Sequence, residues 1–122
     1  MTTTEVKTSE LSGEALNWVV GMAEGLNMFV APTVYGVPAR AFVNRLRGTT
    51  TYGQRYDPGN DWALGGPLIE KYVTALNQSG TESWWPHCED RLGQGEKPLI
   101  AACRAIVAAK LGETVSVPAE LL

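Results

Sequence analysis

Pro98-Leu99-Ile100-Ala101-Ala102-Cys103-Arg104-Ala105-Ile106-Val107-Ala108-Ala109-Lys110-Leu111, followed by Gly112, carries the clearest structural signal in this chain. Proline suits the first helical position, where its missing N–H costs nothing, and glycine just past the end supplies a stop. Leu99, Ala102, Cys103, Ile106 and Val107 recur at helical spacing as a wide stripe for burial, and Lys110 suits the negative end of the helix dipole. Thr114 to Val117 then reads as a closing strand before Pro118. Strands intermixed with helices, without a regular βαβ repeat, predict an α+β fold. The expectation is one small domain over residues 1–122, with a small, mainly antiparallel sheet packed with two or three helices.

Working outward from that helix, Glu5 to Lys7 can start a strand ahead of the turn-rich Thr8-Ser9-Glu10. A helix is expected after Ser12, a natural N-cap, with Glu14 in its first turn and Leu11, Ala15, Trp18, Val19, Met22 and Leu26 at helical spacing. Gly25 can close it in the left-handed conformation. Met28 to Val30 reads as extended. For residues 38–47 the spacing of Ala39, Phe42, Val43 and Leu46 predicts a helix starting at Pro38; the competing reading is a strand with Phe42, Asn44 and Leu46 on one face. Thr49 to Tyr52 is β-prone, and Asp57-Pro58-Gly59-Asn60 is turn chemistry. Asn60 or Asp61 can cap a short turn over Trp62 to Leu64 that stops at Gly65-Gly66. Tyr72 to Leu76 and Glu82 to Trp85 are expected as a hairpin joined by Asn77 to Gly80.

The chain has 122 residues, 44% of them apolar and 19% charged, enough for one core without a metal or disulfide. No apolar run approaches the ~20 residues of a membrane span, and Met1 to Glu5 lacks the features of a secretory signal. Cys88 and Cys103 are expected as reduced thiols, with Cys103 acting as a small buried hydrophobe. These features place the protein in a cytoplasm.

Three blocks carry a family resemblance. They are Lys7-Thr8-Ser9-Glu10-Leu11 leading into Trp18; Asp61-Trp62-Ala63-Leu64-Gly65-Gly66-Pro67-Leu68-Ile69-Glu70; and Pro98 to Arg104, running on through Gly112 to Val117-Pro118. Their order resembles the small phage and prophage proteins called NinX, named for the nin gene region of lambdoid phages. The resemblance implies a phage or prophage gene product acting in a bacterial cytoplasm, and it brings no catalytic residues to transfer.

Among candidate ligand-binding residues, Asp61 and Trp62 precede Gly65-Gly66, where an indole could stack, a carboxylate accept and a bare backbone approach a ligand. The bland alternative makes Asp61 a cap, Trp62 a core residue and the glycines a source of unusual dihedrals. Arg104, inside an apolar helix, calls for a carboxylate partner, for which Asp61 and Glu70 are the candidates. His87-Cys88-Glu89-Asp90 offers metal-ligand types at spacings unsuited to one tetrahedral ion, so no metal and no cofactor are expected. Gly93 to Lys97 lacks the phosphate-loop pattern and reads as a flexible connector.

Charge is unevenly spread. Residues 25–56 hold Arg40, Arg45, Arg47 and Arg55 and no acid, whereas the whole chain carries a net charge of −3 and a pI near 5.1. With Tyr35, Phe42, Tyr52 and Tyr56 interleaved, these four arginines are candidate nucleic-acid-binding residues. The acidic pI runs against that reading, and the arginines could instead pair with acidic flanks within the chain or across a homo-oligomer. The leading expectation is a non-enzymatic accessory protein that binds a host or phage protein. The alternatives are a small-molecule or nucleotide pocket around Asp61, Trp62, Gly65, Gly66 and Arg104, or nucleic-acid contact through the arginines. Membrane contact is not expected.

Overall fold

A computed structural model describes residues 2–79, 83–88 and 91–122. In chain order the elements are β1 (Thr3–Lys7), a 3-10 turn (Thr8–Glu10), α1 (Gly13–Ala23), β2 (Met28–Ala31), β3 (Arg40–Arg47) and β4 (Thr50–Arg55). They continue with α2 (Trp62–Tyr72), β5 (Val73–Ser79), β6 (Ser83–Cys88), β7 (Arg91–Leu92), α3 (Pro98–Leu111), β8 (Thr114–Pro118) and a last 3-10 turn (Ala119–Leu121). Among the described residues every strand pairing is antiparallel, in three small sheets ordered β1-β8, β2-β3-β4 and β5-β6-β7. The fold is α+β, as the mixture of elements predicts.

α3 is the hub. It packs against α1, α2, β5, β6, β7 and β8. Leu99, Ala102, Cys103, Ile106 and Val107 are buried as expected, but so are Ala101 and Ala105, so the helix is enclosed on nearly all sides. Small residues on the added face let another backbone come close. A Cβ on Gly93 would lie 2.3 Å from the Ala101 carbonyl oxygen, and one on Gly95 2.9 Å from the Ala101 nitrogen. Gly95 also exchanges backbone hydrogen bonds with Trp84 at 2.8 and 3.2 Å. The segment read as a flexible connector is therefore a packed one, clamped between β6 and α3.

Residues 40–47 form a strand, not the helix that the spacing of Ala39, Phe42, Val43 and Leu46 predicts. Both readings bury apolar residues, and pairing decides between them. β3 is the central strand, with β2 on one side and β4 on the other, and its Ala41 and Val43 are buried at period two. Gly48, at φ 62, opens the two-residue β3–β4 turn in the backbone region that such hairpins demand. A second correction concerns residues 62–72. The expected break at Gly65-Gly66 is absent, and one helix runs through both glycines and Pro67. Packing overrides propensity here. A Cβ on Gly65 would meet the Pro58 carbonyl oxygen at 2.4 Å and Leu99 at 2.5 Å, so glycine lets α2 seat against α3 and the preceding turn. Further on, β5 extends through Ser79, beyond the expected loop start at Asn77, and pairs with β6. Gly80, Glu82, Glu89 and Asp90 lie outside the described residues.

α1 joins the three-stranded sheet to the rest through a buried polar node. Asn17, with 0% exposure, donates through Nδ2 to Glu14 Oε2 at 2.9 Å and to Asp57 Oδ1 at 2.8 Å. Its Oδ1 accepts from the Gly59 N–H at 3.2 Å. Glu14 accepts from the Ala41 N–H at 3.2 Å, at the end of β3. At the other end of α1, Glu24 accepts from the Tyr72 hydroxyl and lies 3.9 Å from Lys71 Nζ. Lys110 Nζ stands 4.8 Å from the Tyr72 ring centroid, bringing the last turns of all three helices together. Trp18 and Leu26 are half-buried against the core, whereas Met22, expected on the buried face, is exposed.

Two outcomes are expected from this packing. Ile106→Ala should lower the unfolding free energy by about 2–5 kcal/mol, and an unmoved chemical-denaturation midpoint would show that this face of α3 is not core. Asn17→Ala strands the Gly59 N–H and should cost roughly 1–3 kcal/mol, whereas Asn60→Ala, at an exposed member of the same turn, should cost far less. Equal losses for the two variants would remove Asn17 from the centre of the node.

Candidate functional site

The basic sheet comes first, because its strands gather the arginines. α1 packs on one face of β2-β3-β4, covering Val43 and Ala41. Alternation then puts Phe29, Ala31, Arg40, Phe42, Asn44 and Leu46 on the opposite, outer face. Phe29 and Phe42 meet with centroids 5.6 Å apart, tilted by 45°. The Arg40 guanidinium carbon lies 5.1 Å above the Phe42 ring, and its buried Nε has no hydrogen-bond partner. Gly53 on β4 leaves room for the Phe29 ring, since a Cβ there would stand 2.9 Å from its edge. Leu46, at 72% exposure, ends this face.

The four arginines do not share one fate. Arg55 stands 3.3 Å from Glu14 Oε2 and 3.8 Å from Asp57 Oδ2, so it joins the internal node. Arg45 donates from Nε to the neutral Gln54 Oε1 at 3.2 Å, and Arg47 is exposed near the hairpin turn. Among the described residues, no ion pair is formed by Arg40, Arg45 or Arg47. Three of the four cations therefore remain available to an outside partner.

A second concavity runs along α3. Ile100, Arg104 and Ala108, four residues apart, share one side of the helix and line an open groove of about 1180 Å³. Thr8, Ser9 and Ser12 also line it, as do Ser83 and Trp85 of β6. Arg104 makes neither of the expected carboxylate pairs. Its Nε donates to the Leu11 carbonyl and its Nη1 to the Gln94 carbonyl, each at 2.8 Å. Burial lowers the pKa of this guanidinium from its ordinary value, opposed by the nearby Glu96. The sequence pointed to a partner for Arg104, but nothing in helical spacing reveals that loop carbonyls supply it.

The residues proposed to surround Arg104 lie elsewhere. Asp61 caps α2, its Oδ1 accepting from the Ala63 N–H at 2.9 Å. Trp62, expected either to stack on a ligand or to fill the core, is 57% exposed. The space beside Gly65 is filled by Pro58 and Leu99, and beside Gly66 the nearest atom belongs to Trp62 at 3.9 Å. Glu70 is exposed. None of Asp61, Trp62, Gly65, Gly66 or Glu70 lines the groove that holds Arg104.

Asp61 and Arg104 share no bonding partner among the described residues, so Asp61→Ala and Arg104→Ala should be additive to within about 0.3–0.5 kcal/mol. The capping change alone should cost about 0.5–2 kcal/mol. A coupling well above that margin in the double-mutant cycle would restore a direct link between them.

The basic sheet, most of the groove lining and most of the blocks that carry the sequence resemblance fall within a single family match. The model described as bacteriophage P22, NinX matches residues 7–110, from the end of β1 almost to the end of α3. No curated protein matches the chain. Since the match spans most of the sequence, the chain belongs to the bacteriophage P22 NinX family.

Proposed function

We propose that this phage-family protein acts by binding rather than by catalysis, with the β2-β3-β4 sheet as its contact surface for an anionic partner of host or phage. The observation that carries this reading is the uncompensated charge. Arg40, Arg45 and Arg47 sit on one exposed sheet without an ion pair among the described residues, in a stretch of sequence that contains no acid. Charge of one sign gathered in one part of the molecule steers an oppositely charged partner even when the whole protein has the wrong net charge. Thiol chemistry gives catalysis little support: burial, aided by Asp57, pushes the Cys103 thiol up to about 12, far from the range of a nucleophilic thiolate. Both cysteines are buried, in keeping with a reducing bacterial cytoplasm as the setting. No helix among the described residues is long and apolar enough to cross a membrane.

The groove along α3 supports a second reading, a small-molecule site. Its volume and its mix of hydroxyls, an indole and one desolvated cation suit a polar organic ligand. In this reading Arg104 would orient the ligand, and Asp61 and Trp62 would have no part in it.

The charge reading is tested on immobilised heparin at neutral pH and low salt. With a net charge of −3 an evenly charged protein should pass through; this one should be retained and elute as salt rises. Arg45→Gln with Arg47→Gln should abolish retention. Lys7→Gln with Lys97→Gln, which removes the same charge elsewhere, should not. Equal behaviour of the two pairs would leave the sheet with no special role.

A further inference from the structure

We infer that the free edge of β4 takes an extended acidic segment of another protein as a fourth strand of its sheet; this rests on the reading of the sheet as an anion-contact surface. Tyr56 donates its N–H to the Ala41 carbonyl at 3.1 Å, and the two-residue turn closes on the facing pair Arg47 and Thr50. Bonding alternates along an antiparallel pair. Thr50, Tyr52 and Gln54 therefore bond to β3, while Thr51, Gly53 and Arg55 turn their N–H and C=O groups away from it. Among the described residues β3 is the one hydrogen-bonded neighbour of β4, and none of those three N–H groups meets a backbone carbonyl.

Natural proteins protect such an edge by keeping it very short, by lysine or proline, by a bulge or by a covering element. β4 uses none of these. Its six residues are all exposed, and the sequence from Thr50 to Arg55 contains neither lysine nor proline. Its register with β3 runs unbroken from Thr50 to Arg55. The opposite edge of the sheet differs, because β2 has four residues and all are half-buried. The β-branched and aromatic side chains of Thr50, Thr51 and Tyr52 suit a strand with neighbours on both sides.

Side chains along the edge decide which polypeptide fits. Directly opposed residues share a face, so Arg45 stands beside Tyr52 and Arg47 beside Thr50, on the face where Val43 meets Gln54. Arg45 Nε donates to Gln54 Oε1 at 3.2 Å, which draws its side chain from β3 over β4. A strand added at the usual spacing of about 4.8 Å would bring side chains opposite Thr50, Tyr52 and Gln54 within reach of both guanidiniums. Carboxylates at those alternate positions complement two cations that form no ion pair among the described residues. On the other face Gly53 leaves bare backbone beside Phe29 and Phe42, whose rings lie 2.9 and 3.5 Å from where its Cβ would stand. An apolar side chain opposite Gly53 would cover those rings. The edge thus fits an extended segment in which acidic and apolar residues alternate. A second copy's β4 would set one basic sheet beside another, and nucleic acid has no backbone N–H to give the edge.

The test is fluorescence anisotropy with a labelled peptide of about eight residues that alternates glutamate and valine. Beside it stand the same peptide with glutamine for glutamate, and a labelled oligothymidylate. The acidic peptide should bind most tightly, and less so as salt rises. The glutamine peptide should bind roughly ten-fold more weakly, as the loss of several exposed ion pairs implies. N-methylation of alternate residues removes the N–H groups along one edge of the peptide. Methyls on one alternate set should abolish binding, and methyls on the other should spare it. Thr51→Pro removes an outward N–H at an edge position, where proline is tolerated, and should abolish binding with the denaturation midpoint nearly kept. The methylated peptides read the same contact on the unaltered protein. Arg47→Ala should weaken binding roughly three-fold. Equal binding of the two methylated peptides, or full binding by Thr51→Pro, would overturn strand addition. Tighter binding of the oligonucleotide than of the acidic peptide would overturn the choice of partner. So would a dimer of the protein alone, seen in sedimentation velocity, that Thr51→Pro disperses. Retention on heparin without binding of the acidic peptide would sink this inference and leave the anion-contact reading standing, and loss of both would sink both.

Discussion

One buried amide holds the architecture together. Asn17 on α1 cannot reach water, so each of its polar atoms must find a protein partner or incur a desolvation cost. It finds Glu14 on its own helix, and Asp57 and the Gly59 N–H on the turn after β4. That turn carries the Pro58 carbonyl against which Gly65 seats α2. Glu14 in turn receives the Ala41 N–H and Arg55. A sheet, a turn and two helices thus take their relative positions from a few hydrogen bonds centred on one side chain.

The node also separates the molecule into two parts with different duties. On one side α3 is enclosed by two helices and two sheets, with alanines and glycines at the closest approaches. On the other, the three-stranded sheet meets the rest chiefly through α1. Arg55 shows how the boundary works. Held by Glu14 and Asp57, it serves cohesion, while Arg40, Arg45 and Arg47 form no ion pair among the described residues.

What could be read in the sequence follows from where the information sits. α3 was legible because its signals are local: proline at the start, glycine at the end and a wide apolar stripe between. β3 was not, because Ala39, Phe42, Val43 and Leu46 satisfy a helical period by coincidence, and the pairing on both sides that settles the matter is non-local. α2 was misjudged because Gly65 looks like a helix breaker in sequence and is a packing requirement in space. The charge island was visible in composition alone. The split between Arg55 and the other three arginines was not, and neither was the replacement of Asp61 or Glu70 by the Leu11 and Gln94 carbonyls beside Arg104. The outer-face partnership of Phe29 with Phe42 depends on strand register, to which alternation within β3 is the only sequence clue.

The pairing of β1 with β8 joins segments more than a hundred positions apart, with Thr3 opposite Pro118 and Val6 opposite Val115. Protein synthesis is vectorial, so β1 leaves the ribosome more than a hundred residues ahead of its partner. α1 waits as well, since α3, a helix that packs against it, begins only at Pro98. Native contacts of this span close late and at an entropic cost. The nascent chain must therefore hold the exposed apolar faces of α1 and β1 soluble without the core that later covers them. Glu5, Lys7, Glu10 and Glu14, charged side chains clustered along that first segment, are placed to do so.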